Sequence, residues 1–189
     1  MIKRFKSMAR RFAPDNQALA PDRQANQTLA ALRASRDSGP LTGETVFLPG
    51  LTLHADPTLR ISGSYTSPTG RLLDITAHMA GDGNWCGLHI ALPANDLTQY
   101  AMVGFAARFS AGHTQVARAC LRSGVEDGFV DHFFDKHLLL RPQEASHLDA
   151  LSVHHSQNVP LQAPWREVIV FLPTQDFQVS LIDLRIFVV

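Results

Sequence analysis

From residue 45 to its end the chain breaks into short β-rich runs separated by turn residues, and this texture constrains the fold more than anything else in the sequence. The runs are 46–53, 60–66, 72–79, 85–92, 101–111, 115–121, 130–140, 148–155, 166–172 and 177–189. Asp56-Pro57, Ser67-Pro-Thr-Gly70, Gly81-Asp-Gly83, Ser110-Ala-Gly112, Gly124 with Gly128, and Pro160 with Pro164 punctuate them. Strand-length runs with almost no helical stretch between them predict antiparallel pairing, because parallel pairing needs a crossover, usually helical, between strands. Alternation supports this. Val103, Phe105, Ala107 and Phe109 point one way, and Gly104, Ala106, Arg108 and Ser110 point the other. Ile182, Leu184, Ile186 and Val188 likewise oppose Asp183, Arg185 and Phe187, so the chain ends inside a sheet. The expected fold class is all-β, a two-sheet antiparallel jelly-roll sandwich with a short helical N-terminal extension.

The chain has 189 residues, 45% of them hydrophobic, enough for one core with some residues to spare. The extension is read as residues 1–44 and the sandwich as residues 45–189. Within 1–14, Lys3, Arg4, Lys6, Arg10 and Arg11 stand with no acid, while Ile2, Phe5, Met8 and Phe12 fall on one helical stripe. Three readings of this basic amphipathic helix stay open: a solvated end, an anchor docking on a protein partner, and a helix lying on an anionic surface. Pro14, Pro21, Gly39, Pro40 and Gly43 bracket a polar tether. Inside it, residues 22–36 favour a helix with Asp22 as cap and Ala25, Leu29 and Leu32 on one face. So narrow a stripe either lies on the sandwich or packs against its own copies, which would make a homo-oligomer.

Charge and motifs narrow the function. Seventeen basic residues balance seventeen acidic ones, which argues against a general nucleic-acid coat. No apolar run reaches the ~18 residues of a membrane span, so no transmembrane segment is expected. Charges interrupt every apolar run near the start, so the chain reads as lacking a secretory signal, made in the cytoplasm and incorporated into a particle or assembly. There is no H-E-x-x-H, C-x-x-C, G-x-S-x-G or phosphate loop. Cys86 and Cys120 sit among small or apolar neighbours and read as buried thiols. The chain is therefore read as non-catalytic.

One stretch resembles a known family. Ala163-Pro-Trp165-Arg-Glu-Val-Ile-Val-Phe171-Leu-Pro173, followed by Phe177-Gln-Val-Ser-Leu-Ile-Asp183-Leu-Arg-Ile-Phe187, resembles the closing strands of galactose-binding-like jelly rolls. Carbohydrate-binding modules share that layout, and Tyr100-Ala-Met-Val-Gly-Phe-Ala-Ala-Arg-Phe109 is similar to the strand that follows a polar loop in such modules. The resemblance implies a β-sandwich, a glycan or polysaccharide partner, and structural calcium, for which Asp56 and Asp183 are the candidate ligands. Joined to an anchoring arm, such a module resembles a spike or fibre subunit of a phage-like particle. A structural or adaptor subunit without glycan binding is the alternative.

The chemically densest segment is 118–137. Were 129–137 one regular strand, Phe129, Asp131, Phe133, Asp135 and His137 would share a face, and Arg118 and Arg122 share one on the strand before it. Arginine forks opposite carboxylates make either a structural network or the hydrogen-bonding floor of a sugar site. Asp131 with Asp135 also leaves a paired-carboxylate glycosidase as a minor reading. The candidate ligand-binding residues are Trp85, Arg108, Arg118, Arg122, Asp131, Asp135 and His137. Trp165 is expected in the core, while Trp85, leaving a Gly-rich turn, is open between core and surface.

Overall fold

The computed structural model describes residues 20–189, so the expected basic helix at 1–14 lies outside the described residues. Helix α1 (Pro21–Ser35) comes first. It is followed by β1 (Ser38–Thr42), β2 (Glu44–Leu48), β3 (Leu51–Ala55), β4 (Ile61–Thr66), β5 (Leu73–Met79), β6 (Cys86–Ala91) and β7 (Met102–Ala111). The remaining strands are β8 (Gln115–Val125), β9 (Gly128–Phe133), β10 (Leu138–Leu140), β11 (Ala145–Ser152), β12 (Arg166–Phe171) and β13 (Phe177–Val188). All strand pairs are antiparallel. One sheet runs β1-β4-β5-β13-β7-β11 and the other β10-β8-β12-β6-β3-β2, with β9 also on β8.

The sequence runs become strands with three differences. Residues 46–53 form two strands, because Pro49-Gly50 turns the chain, with Gly50 at a φ of 83°. Residues 130–140 are also two strands. The first strand, β1, precedes the expected start of the sandwich and pairs with β4 from Ser38 to Thr42.

Of the two placements open for the α1 stripe, the structure has the first: Ala25, Leu29 and Leu32 are buried in the main core. Asp22 does not cap the helix. Pro21 takes the first helical position, where its fixed φ suits the turn, and Asp22 falls in the first turn near the positive end of the helix dipole.

Between the sheets lies one apolar core. Val103, Phe105, Ala107 and Phe109 are buried there, as alternation predicts. In β13 the buried set switches parity, from Phe177, Val179 and Leu181 to Ile182, Leu184, Ile186 and Val188. A register shift between Leu181 and Asp183 accommodates the extra residue, so a bulge keeps both halves of a twelve-residue strand facing the core.

Candidate functional site

The outer face of the second sheet carries the richest side-chain chemistry. Register alone defines three rows across it. In one, Arg118 stands beside Phe171, Phe171 beside Gly87, and Gly87 beside His54. In the next, Phe133, Cys120, Ile169, His89 and Thr52 follow one another. The third joins Asp131, Arg122, Glu167 and Ala91.

The middle of this face is closed. Ile169, Cys120 and His89 are buried although they point away from the main core. A Cβ on Gly87 would come within 2.9 Å of Ile169 Cγ2 and 3.0 Å of His89 Nε2, so the glycine lets these two side chains close over the backbone. His89 Nδ1 lies 2.8 Å from Glu167 Oε2, and that bond is the main reason the Glu167 carboxyl sits below its usual range. Burial pushes both thiols, Cys86 and Cys120, up to about 12, which leaves them protonated and unreactive at neutral pH.

Arg122 and Asp131 form a fork, with Nε and an NH2 group each donating over 2.7 Å to one carboxylate oxygen. The carboxylate raises the Arg122 pKa, and the guanidinium also lies 3.7 Å from the Phe129 ring centre. Of the alternatives open for this pair, the local geometry is that of a structural network. Arg118 is different. It is exposed, sits 4.1 Å from the Phe133 ring centre, and is not hydrogen-bonded to any carboxylate among the described residues.

Around Arg118 the face opens into a concavity of about 420 Å³. Val116, Arg118, Phe133 and Phe171 supply its sheet side. Asn84 and Trp85 enter from the segment before β6, and Pro173 and Thr174 from the loop after β12. The rings of Phe133 and Phe171 lie 5.7 Å apart at 30°. Trp85 is 37% exposed, which places its ring at the surface. Its backbone carbonyl accepts from Asp56 N, while Asp56 Oδ2 accepts from Asn84 N, so the Gly-rich approach is tied down at both residues.

The sequence-predicted residues therefore separate. Trp85, Arg118, Arg122 and Asp131 belong to this one face. Arg108 lies in β7 of the other sheet, 3.8 Å from Glu144. Asp135 and His137 do not continue the Asp131 face as a regular strand. Phe134 drops into the core, its N–H donating to Ala119 O, and the Lys136 N–H donates to Asp149, so residues 134–137 become an exposed turn at Asp135 and His137.

Trp165 is also not in the core. It is 41% exposed and covers Gly124, where a Cβ would meet the indole at 2.5 Å. Two rings of the concavity, Phe133 and Phe171, are not among the residues that the sequence singles out. The shared face of Phe129, Asp131 and Phe133 was the available signal.

The two candidate calcium ligands are engaged by other groups. Asp56 accepts from the Thr58 amide and hydroxyl and from Asn84 N, and Asp183 is paired with Arg33 at 2.7 Å. Among the described residues no group of three or more His, Cys, Asp or Glu is placed to hold a metal ion. No helix among them is long and apolar enough to cross a membrane.

Comparison with known proteins adds the fold relationship. No protein-family model matches the chain, and no curated protein matches it in sequence. Among solved structures, a CBM4 carbohydrate-binding module superposes with a TM-score of 0.55 at 12% identity, over 80% of this chain and 95% of that one. The N-terminal cellulose-binding domain of Cellulomonas fimi β-1,4-glucanase C gives 0.52 at 11% identity, over 79% of this chain and 94% of that one. The chain has the jelly-roll fold of these modules. At such identity the likeness is one of architecture, and function has to be argued from the site.

Proposed function

We propose that this chain is a non-catalytic carbohydrate-binding module and that it holds a surface polysaccharide on the outer face of the second sheet. The observation that carries the reading is the concavity where Trp85, Phe133 and Phe171 meet Arg118. A pyranose presents C–H faces that pack on aromatic rings and a rim of hydroxyls that needs polar partners. Exposed rings beside a guanidinium and the amide of Asn84 supply both. The volume falls within the ~300–1,000 Å³ of small-molecule sites, suited to a few sugar units of a longer chain passing across the face. The fold of a cellulose-binding domain supports the same reading by analogy. Arg122 and Asp131 lie on the same face outside the concavity, where their fork ties β9 to β8, while Arg108, Asp135 and His137 lie elsewhere on the surface.

The arm at residues 1–14, five cations with no acid, would tie the module to a protein partner, as in a spike or fibre subunit of a phage-like particle. The test of binding is a glycan microarray probed with the full chain and with Trp85→Ala. The expected result is a set of glycans retained by the native chain and weakened tenfold or more by the variant. A blank array from folded protein would remove the module reading and leave the structural or adaptor subunit.

A further inference from the structure

We propose that the glycan is acidic and that Arg118 binds a carboxylate on one of its sugar rings; this inference rests on the binding role proposed above. The concavity is bordered by ten of the described residues, and Arg118 is the one charged side chain among those ten. Nearby charges on the same face already have partners. Arg122 is bound through two 2.7 Å contacts to Asp131, and Glu167 is 2.8 Å from His89. Asp56, against Asn84, is engaged by the Thr58 and Asn84 donors, so among the described residues the lining presents one cation and no anion.

The way that cation is held matters as much as its charge. Its contact with Phe133 is through the ring face, and no hydrogen bond to a described residue occupies its N–H donors. Stacking restrains the guanidinium while leaving its in-plane fork open, and a planar fork matches a planar carboxylate through two parallel bonds. A neutral glycan would offer only hydroxyls to it. A uronic acid carries its carboxylate directly on the ring, so one sugar unit can pack against the aromatic rings and reach Arg118 together.

Calorimetric titration of the full chain with polygalacturonate, alginate and hyaluronan, each beside its carboxyl-reduced form, tests this. The expected result is binding to at least one acidic polymer, at least tenfold weaker binding to its reduced form, and a loss of similar size in Arg118→Gln for the acidic polymer alone. Thermal melts of native protein and variant should coincide, because Arg118 is exposed. Equal binding of the reduced polymer, an unaffected Arg118→Gln, or equally tight binding of dextran sulfate would overturn the carboxylate inference. If neutral glycans bind and the acidic ones do not, this inference falls and the module reading stands. If no glycan binds, both fall.

Discussion

Arg166 shows how one buried residue can tie the second sheet to the segments around it from the core side. It is 2% exposed, on the strand that also carries Glu167 and Phe171. Its Nε donates to Ala94 O at 2.7 Å, and its two terminal nitrogens donate to Ser123 Oγ and Pro160 O. One guanidinium thus joins β12, β8 and the segments after β6 and before β12. Among the described residues no carboxylate bonds to it, and burial lowers its pKa, yet arginine begins so high that it stays charged. Replacing Arg166 with Met keeps much of the bulk but leaves the two carbonyls and the hydroxyl without a donor. The expected cost is roughly 2–4 kcal/mol, seen as a lower midpoint in urea with an unchanged slope. A midpoint that hardly moved would mean the segments hold together without it. None of this was legible in the sequence, where Arg166 looked like one more strand residue beside a tryptophan expected in the core. The structure reverses the two, with Arg166 inside and Trp165 outside.

At the scale of elements, α1 solves an edge problem. β13 pairs with β5 only as far as Leu181, while against β7 it continues to Val188. Beyond Leu181 one edge of β13 would present bare amides and carbonyls, which invite pairing with another chain. Helix α1 lies there instead. Asn26 Nδ2 donates to Ile186 O at 2.8 Å and its Oδ1 accepts from Ile186 N at 3.0 Å, so a side-chain amide stands in for a strand neighbour. Arg33 adds donations to Ile182 O and to the Asp183 carboxylate. Asn26→Leu keeps the size and removes both bonds. We expect a loss of about 1–3 kcal/mol and faster hydrogen exchange at the Ile186 amide, with no change if the helix is held by Ala25, Leu29 and Leu32 alone. The apolar stripe was readable from spacing; the Asn26 contact was not, since nothing on a helix announces a main-chain partner 160 residues away. The strands were legible for a related reason. A period of two is local and survives in the sequence, whereas the break at Phe134 depends on which neighbour buries it.

Over the whole molecule, two sheets enclose one core and differ in their outer faces. The first carries Arg108 near Glu144, and its β13 edge is covered by α1. The second carries an aromatic and arginine surface whose centre is packed shut by Gly87, His89 and Ile169 and whose end opens at Trp85. Four of the seven residues singled out from sequence meet on that second face, because alternation assigns a residue to a side of its strand. Alternation does not say which sheet the strand joins, and Arg108 was misgrouped for that reason. The central claim is that sugar binds beside Trp85, and the chain offers a direct reporter. It has two tryptophans, so Trp165→Phe leaves Trp85 as the single indole. The decisive measurement is a fluorescence titration of Trp165→Phe with oligosaccharides drawn from both neutral and acidic glycans. The account expects a saturable change in Trp85 emission at the concentrations where calorimetry shows binding. A glycan that binds while Trp85 emission stays flat would put the site elsewhere and contradict the account.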